Sequence, residues 1–172
     1  PGSSGVNTNV SDMWTTGKTG NNAITFDGTD DSLVLTNNII DNQATYSISF
    51  WARASSAKDQ NIAVAFSNNG SNPYSLMFYS DTTISSTPTA RWGVNSGTNS
   101  ADGIEGNTAV DDGGWHHVTF VQYGTSNRKI YVDGSVEATD TTTISESTYS
   151  HNKIGEETGY GYQYEGDLDD IR

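Results

Sequence analysis

Residues 113–139 read GGWHHVTFVQYGTSNRKIYVDGSVEAT and contain two runs in which apolar and polar residues alternate. In the first run Val118 and Phe120 share one face, and in the second Ile130 and Val132 do the same. A period of two residues is the pattern of a β-strand with one buried face. The Asp-Gly pair of VDGS favours a tight hairpin turn, because these residues supply the positive φ angles that such a turn needs. This stretch therefore predicts antiparallel strands.

Alternation of the same kind recurs along the chain, whereas helical periodicity is almost absent. Clusters of Gly, Asn, Asp, Ser and Thr separate the runs and favour turns. Many short strands with turn signals roughly every 8–12 residues are typical of an antiparallel sandwich or jelly roll. We therefore predict an all-β, antiparallel two-sheet β-sandwich. Its other predicted strands are AITF (23–26), SLVLT (32–36), YSISFWARA (46–54), NIAVAFS (61–67), YSLMFYS (74–80), ARWGVNS (90–96) and the closing YEGDLDDIR (164–172).

The chain has 172 residues and no cysteine, which suits one domain and excludes disulfides, zinc–thiolate sites and thiol nucleophiles. Its 8 Lys and Arg residues against 21 Asp and Glu give a formal net charge of −13. Such a surface repels nucleic acid and anionic membranes, and no apolar run approaches the roughly 20 residues of a membrane span. We therefore expect neither nucleic acid binding nor membrane insertion. Residues 1–172 are expected to form one domain of a longer protein.

Three segments, in this order, resemble laminin G-like domains of the concanavalin A-like jelly-roll superfamily. ITFDGTDDSLVL followed by YSISFWARA resembles the opening of that fold, and GGWHHVTFVQYGTSNRKIYVDG resembles its Gly-Trp-His-His-Val strand and Tyr-Val-Asp-Gly turn. KIGEETGYGYQYEGDLDDIR resembles its penultimate strand and its Asp-Asp-hydrophobic-Arg closing strand. The resemblance runs from about Ala23 to Arg172 and implies a concanavalin A-like jelly roll. Binding modules, adhesion domains and enzymes all share this fold.

The closing run has four carboxylates within six positions, which fits three roles: a glycoside hydrolase acid/base pair, a cation site, or the polar face of a last strand. Glu165, Asp167 and Asp169 share a face, like the Glu-x-Asp-x-(x)-Glu strand of endoglucanases on this fold, whose carboxyl groups lie ~5–5.5 Å apart in retaining enzymes. In those enzymes the catalytic strand lies mid-chain and mid-sheet, whereas this one closes the chain. No Ser-His-Asp context or phosphate loop occurs either. No catalytic residue is therefore predicted.

A calcium site is predicted at FDGTDDS. Calcium takes six to eight oxygens from carboxylates and backbone carbonyls, and here Asp27, Asp30 and Asp31 surround Gly28, where carbonyls can turn inward. The resemblance implies that this segment lies beside the closing strand and that Asp169 helps to hold a structural calcium. The predicted metal-binding residues are thus Asp27, Gly28, Asp30 and Asp169. The alternative is a solvated acidic edge that discourages aggregation.

Three further features of the sequence predict local structure. Leu168 and Ile171 are three apart, so a bulge or bend must lie between them if both are buried, and it would aim one of the intervening aspartates at a metal. Trp115 stands at the entrance of its strand, where its ring can close the end of the core. His116 and His117 must point to opposite faces, and we expect them to be structural rather than metal ligands.

Two surfaces are candidates for a ligand. Sugars stack on aromatic rings while Arg, Asn and Asp bind their hydroxyls, and an Arg also suits a uronate or sulfate. The first candidate surface is a concave sheet face with Trp51, Arg53, Tyr79, Arg91 and Asn95. The second is the loop rim, where Tyr160, Tyr162 and Tyr164 alternate on one face and make a flat platform, unless the glycines between them let the run lie against another segment.

These patterns favour a non-catalytic carbohydrate-binding or adhesion module, secreted or at the cell surface, with a calcium ion. Its expected partner is a polysaccharide or cell-surface glycan, together with other domains of a parent protein. The alternative from another class is a protein–protein spacer or decoration domain of a large adhesin or virion fibre. An enzyme acting on polysaccharide is the third interpretation.

Overall fold

A computed structural model describes residues 13–20, 22–37, 39–54, 61–68, 103–110, 112–143, 148–157, 159 and 161–172, and the backbone of 71–80 and 91–97. The secondary-structure elements in these ranges are all β-strands. The same ranges contain no helix that could cross a membrane. The strands are β1 (Trp14–Thr15), β2 (Ala23–Asp27), β3 (Leu33–Val34), β4 (Thr45–Ala54), β5 (Asn61–Asn68), β6 (Ser71–Ser80), β7 (Arg91–Gly97), β8 (Gly103–Glu105), β9 (His116–Tyr123), β10 (Arg128–Val132), β11 (Ser135–Asp140), β12 (His151–Ile154), β13 (Glu156–Glu157), β14 (Tyr162–Gln163) and β15 (Glu165–Asp169).

The strands form two main antiparallel sheets. The seven-stranded sheet has the order β1-β2-β15-β4-β9-β10-β11, the six-stranded sheet has the order β3-β12-β5-β6-β7-β8, and β13 pairs with β14 apart from both. One hydrophobic core lies between the main sheets and includes Phe50 and Phe120 from the first and Phe66 and Ile154 from the second. The predicted all-β antiparallel sandwich is confirmed.

Each alternating run of the sequence contains a strand, including the two of residues 113–139, which form β9 and β10, although only Leu33 and Val34 of SLVLT lie in one. The VDGS hairpin is confirmed as well, because Asp133 and Gly134 have φ angles of 51° and 81°. The short strands β1, β8, β13 and β14 were not predicted. Two or three residues are too few to show a period of two.

The prediction for β5 needs a correction. Alternation suggested that only Ile62, Val64 and Phe66 are buried, but all seven residues from Asn61 to Ser67 are buried. Tyr162 of β14 packs against Ile62 and Ala65 on the side away from the main core. The β13–β14 pair therefore covers the outer face of the six-stranded sheet at this point.

The closing strand β15 lies between β2 and β4 and ends in a bend. Asp170 has a φ angle of 51°, which breaks the alternation so that both Leu168 and Ile171 pack in the core. The chain then pairs again with β4, since Ser49 and Arg172 exchange two backbone hydrogen bonds of 2.9 and 3.0 Å. The bend predicted between Leu168 and Ile171 is thus present.

Candidate functional site

The FDGTDD turn gathers three carboxylates. Asp27, Asp30 and Asp31 each place one carboxylate oxygen within 4.8 Å of the others. The turn is built by its own side chains, because an Asp27 oxygen accepts the amide of Thr29 at 2.8 Å and an Asp31 oxygen accepts the amide of Asp27 at 3.1 Å. Gly28 has a φ angle of 73°, which a residue with a side chain rarely adopts.

Asp169 does not join this cluster, although Asp27, Gly28 and Asp30 lie together as expected. In the β2–β15 register Asp27 faces Glu165, and Asp169 lies four residues further along β15. At about 3.3 Å per residue that is a separation of roughly 13 Å, too far for a shared ion. The predicted four-residue metal set is therefore wrong in this one member. The resemblance placed the two segments side by side but could not supply the register.

The Asp169 carboxylate instead holds the N-terminal segment. One of its oxygens accepts the backbone amides of Lys18 and Thr19 at 2.7 and 2.8 Å and the Thr19 hydroxyl at 3.2 Å. Burial of this carboxyl raises its pKa, but the amides of Thr19 and Lys18 outweigh that effect and lower the pKa. Asp169 is thus a structural anion.

Asp167 is likewise engaged in structural contacts. Its Oδ2 accepts Arg53 Nε at 2.8 Å and lies 2.8 Å from an Arg53 terminal nitrogen, while its Oδ1 accepts the Thr25 hydroxyl at 2.5 Å. These contacts follow from the register, because Asp167 faces Arg53 on one side and Thr25 on the other. The arrangement gives Asp167 the role of an orienting partner for Arg53 rather than that of a glycosidase acid.

Arg53 and Asp167 belong to a larger cluster on the outer face of the seven-stranded sheet. Alternation along β4 buries Phe50, Ala52 and Ala54 and leaves Trp51 and Arg53 half-buried on the opposite side. We call this cluster the tryptophan patch. Its members are Lys18, Trp51, Arg53, Trp115, His117 and Asp167.

Each member of the patch contacts another through a ring or a charge. The Trp51 and His117 rings face each other across β4 and β9 with their centroids 5.1 Å apart. Lys18 Nζ lies 5.0 Å from the centroid of the Trp51 ring, and the Arg53 guanidinium carbon lies 4.9 Å from that of Trp115. Both cations are thus within cation–π range of an indole. The patch holds two of the four tryptophans and two of the eight Lys and Arg residues of the chain.

Sequence reasoning identified Trp51 and Arg53 but missed the other patch members. It placed Trp115 at the end of the core, whereas the Arg53 guanidinium stacks over the Trp115 ring. His117 was identified only as one of two adjacent histidines that point to opposite faces. Lys18 lies about 30 residues before Trp51 in sequence and carried no signal, because its position depends on the contact of its own amide with Asp169.

The concave face predicted to hold five residues is divided between two sheets. Trp51 and Arg53 belong to β4 of the seven-stranded sheet, whereas Tyr79 belongs to β6 and Arg91 and Asn95 to β7 of the six-stranded sheet. Within that sheet Tyr79 faces Trp92 and Asn95 faces Leu76, so Asn95 also lies four residues, or roughly 13 Å, from Arg91 along β7. The predicted single surface is therefore wrong, because period-two patterns do not reveal which sheet a strand joins.

The tyrosine platform is also absent from the part of the run that the structure describes. Tyr164 is completely buried and packs edge-on against Phe26, with ring centroids 5.9 Å apart. Tyr162 is half-buried against β5. The alternative that this run lies against another segment is the one observed, and Tyr160 lies outside the described residues.

His116 points away from His117, as predicted, and bridges two turns. Its Nδ1 lies 2.7 Å from an Asp133 oxygen and its Nε2 lies 3.2 Å from an Asp112 oxygen. Partial burial lowers the pKa of His116, but the hydrogen bonds to Asp133 and Asp112 outweigh it and raise the pKa. This histidine is a structural link between the start of β9 and the β10–β11 hairpin.

Comparison with known proteins identifies the family. A laminin G family model, described as the concanavalin A-like lectin/glucanases superfamily, matches residues 27–172. Comparison with curated proteins gives no match.

Several solved structures share the fold. Domain 4 of AbnA, a GH43 extracellular arabinanase from Geobacillus stearothermophilus, solved in complex with arabinotriose, is 15% identical, with a TM-score of 0.69 over 92% of this chain and 72% of that one. The CBM40 of the Ruminococcus gnavus IT-sialidase is 10% identical, with a TM-score of 0.68 over 87% of this chain and 88% of that one. Domains LG4-5 of the mouse laminin alpha1 chain are 10% identical, with a TM-score of 0.58 over 82% of this chain and 38% of theirs.

Proposed function

The chain belongs to the concanavalin A-like lectin/glucanases superfamily, and from that premise we propose that it is a non-catalytic carbohydrate-binding module. We place its glycan site at the tryptophan patch. The observation that carries the proposal is the Arg53–Asp167 pair beside Trp51 and Trp115 on the outer face of a sheet. Two structural relatives were solved with arabinotriose and sialyllactose, which shows that this fold can present such sites.

The chemistry of the patch suits a neutral sugar. A pyranose presents an apolar C–H face to an indole, and its hydroxyls need donors and acceptors in fixed positions. The Arg53–Asp167 pair offers both, and its two charges already balance each other. Lys18 is exposed, so its ammonium group can leave the Trp51 ring when a sugar arrives. Neutral glycans are therefore preferred over polyanions, which the net charge of −13 also disfavours.

The closing-strand carboxylates support the absence of catalysis in this proposal. Asp167 and Asp169 already engage a guanidinium, two backbone amides and two hydroxyls in the folded protein. A general acid must instead be free to protonate a leaving group. We propose that the module acts outside the cell and brings other domains of its parent protein to a polysaccharide or cell-surface glycan.

A glycan array followed by calorimetry tests the proposal. We expect dissociation constants between micromolar and millimolar, about −8 to −4 kcal/mol, because stacking and a few hydrogen bonds must first offset the cost of association. Trp51→Ala and Arg53→Ala should each weaken binding at least about tenfold, or about 1.4 kcal/mol.

Tyr123→Ala is the matched control for these variants. Tyr123 is 52% exposed and belongs to the same strand as His117, but lies six residues further along it. That is roughly 20 Å from the patch, so this variant should bind like the original protein. No binding to any neutral or acidic glycan would contradict the proposal and favour a protein–protein role.

A calcium ion at the FDGTDD turn is the second part of the proposal. Two oxygens bound to one calcium at 2.3–2.6 Å are at most about 5 Å apart, and the three aspartate oxygens lie within 4.8 Å of one another. The donor set, three carboxylates on irregular backbone, is the kind that calcium prefers. Asp27, Asp30 and Asp31 would hold the ion, which would supply charge compensation and rigidity to the turn rather than reactivity.

A further inference from the structure

A cavity that shares no residue with the tryptophan patch opens between the two sheets at one end of the sandwich. Its volume is about 310 Å³, and its walls come from both sheets, from the loop before β4 and from the residues after β15. Nine of its eleven lining residues are aliphatic or aromatic. The lining consists of Leu35, Ile39, Ile40, Tyr46, Ser47, Ile48, Val64, Phe66, Ile154, Ile171 and Arg172.

The walls of this cavity are anchored on both sides. Ile171 reaches it because of the bend at Asp170, and the two backbone hydrogen bonds between Ser49 and Arg172 hold that segment in place. On the other side, an Asp41 oxygen accepts the Tyr149 amide at 2.8 Å and ties the loop to the strand-entry segment before β12. These contacts fix the positions of the loop and of the closing segment, each of which forms part of the cavity wall.

The lining chemistry favours an apolar occupant over water or sugar. Protein interiors contain few voids larger than a water molecule, and a space of this size equals roughly ten waters in the liquid. Because nine of the eleven lining residues are aliphatic or aromatic, water against these walls finds few of the two to four polar partners that it needs, and sugar hydroxyls would find few hydrogen bonds. An aliphatic or aromatic group would instead gain contacts with both sheets.

The residues at the entrance of the cavity favour an occupant with one charged end. Ile39 lines the cavity although it is 60% exposed, so it stands at the mouth. Arg172 is the one cation among the described residues that line the cavity, and its side chain is 75% exposed. Its Nε donates to Asp170 at 2.8 Å, and a guanidinium has five N–H donors in all.

We infer that this cavity binds an amphipathic carboxylate, with an alkyl or aromatic tail between the sheets and its carboxylate at Arg172. A chain of about eight to ten carbons matches the volume. This site is independent of the glycan site, because the two share no residue.

Titration with decanoate and with decan-1-ol, each below its micelle or solubility limit, tests the inference. Decanoate should bind with a micromolar to submillimolar dissociation constant and shift the NMR signals of the Val64 and Ile154 methyl groups. Decan-1-ol should shift the same methyl signals but bind more weakly. Arg172→Gln should weaken decanoate roughly tenfold and leave decan-1-ol unchanged, because only the carboxylate uses the cation.

Ile39→Glu provides a variant whose folding is secure, since the residue is mostly exposed. Its carboxylate at the mouth should weaken decanoate by more than it weakens decan-1-ol, whereas Trp51→Ala should change neither. Decanoate that fails to bind, or that binds without moving the Val64 and Ile154 methyl signals, overturns the inference. So does binding that Ile39→Glu leaves intact. Because the readouts use no glycan, failure here leaves the proposed carbohydrate function untouched.

Discussion

Asp133 shows how one side chain can link two elements. Its Oδ1 accepts the His117 amide at 2.8 Å, and its Oδ2 lies 2.7 Å from His116 Nδ1. Its φ angle of 51° is a conformation that Asp and Asn tolerate better than most residues. Burial raises the pKa of Asp133, but its hydrogen bonds to His116 and to the His117 amide outweigh this and lower the pKa. The ion pair with His116 is therefore sensitive to pH.

The sign of this sensitivity follows from the two pKa shifts. The raised pKa of His116 adds stability that is fully present below its unfolded value near 6.5 and is lost as the pH rises through the folded value. The lowered pKa of Asp133 adds stability that is lost only in acid. We therefore expect His116→Asn to destabilise the protein more at pH 5.5 than at pH 8.5 in urea unfolding. An equal loss at both values would contradict this.

Asp133→Asn is the matched variant for this experiment. Asparagine keeps the acceptor for the His117 amide and tolerates the positive φ angle, but it removes the charge that His116 meets. His116 then retains Asp112 as its one acidic neighbour among the described residues. The stability difference between pH 5.5 and pH 8.5 should shrink in this variant. A difference as large as in the original protein would assign the pH dependence to other groups.

Gly166 lets β15 fit between its two neighbours. Its φ angle is 144°, and a Cβ atom there would lie 2.5 Å from the Arg53 carbonyl oxygen. That oxygen belongs to the backbone of β4 and cannot move aside as a side chain can. We expect Gly166→Ala to cost about 2–4 kcal/mol in the free energy of unfolding, as the sum of overpacking and backbone strain.

Gly20→Ala is the control for Gly166→Ala. A Cβ atom at Gly20 would meet nothing within 4 Å, and the φ angle of Gly20 lies outside the left-handed region. Its effect on urea unfolding should stay within about 0.5 kcal/mol. If both variants unfolded alike, the tight β4–β15 contact would not be a determinant of stability.

The positions of the strands were more predictable from the sequence than the strands and segments that lie next to them in the fold. Alternation located β4 and β9 because each buries every second residue along eight or ten positions. It failed for β5, whose outer face is covered by Tyr162 about 100 residues later in the chain. It also grouped Tyr79 with Trp51, because a strand pattern carries no information about which sheet the strand joins. Long-range pairing decides these features, and local sequence does not encode it.

The candidate sites likewise differ in whether local sequence or long-range pairing brings their residues together. The three aspartates of FDGTDD lie within five residues, so a single turn brings them together and sequence alone was sufficient. Asp169 and Lys18 are 151 residues apart, and their contact depends on the β2–β15 register. A one-residue slip in that register would move Asp169 to the other face of the sheet. For this reason the sequence revealed only two of the six members of the tryptophan patch, Trp51 and Arg53.

At the scale of the whole molecule, the acidic turn is one of the connections that cross between the two sheets. It joins β2, which lies in the seven-stranded sheet, to β3, which lies in the six-stranded sheet. Asp31 in this turn is 4% exposed, and its carbonyl oxygen lies near Gly155, at the end of β12. A cation bound by the turn would thus connect segments from both sheets. Its loss should weaken the whole sandwich rather than one loop.

Thermal melts with millimolar calcium and after chelation measure this effect. A ligand bound only by the folded state stabilises it by about 2.7 kcal/mol at a hundredfold excess over its dissociation constant, which is several degrees in Tm for a domain of this size. Asp30→Asn should remove most of the difference, because it takes a charge from the cluster. Asp169→Asn should lower both melting curves equally, because that carboxylate binds the Lys18 and Thr19 amides and lies roughly 13 Å from the turn.

Identical melting curves for the original protein with calcium and after exhaustive chelation, with no calcium in elemental analysis, would eliminate the site. A calcium effect lost in Asp169→Asn as well as in Asp30→Asn would restore the predicted ligand set with Asp169 as a member and contradict the strand register.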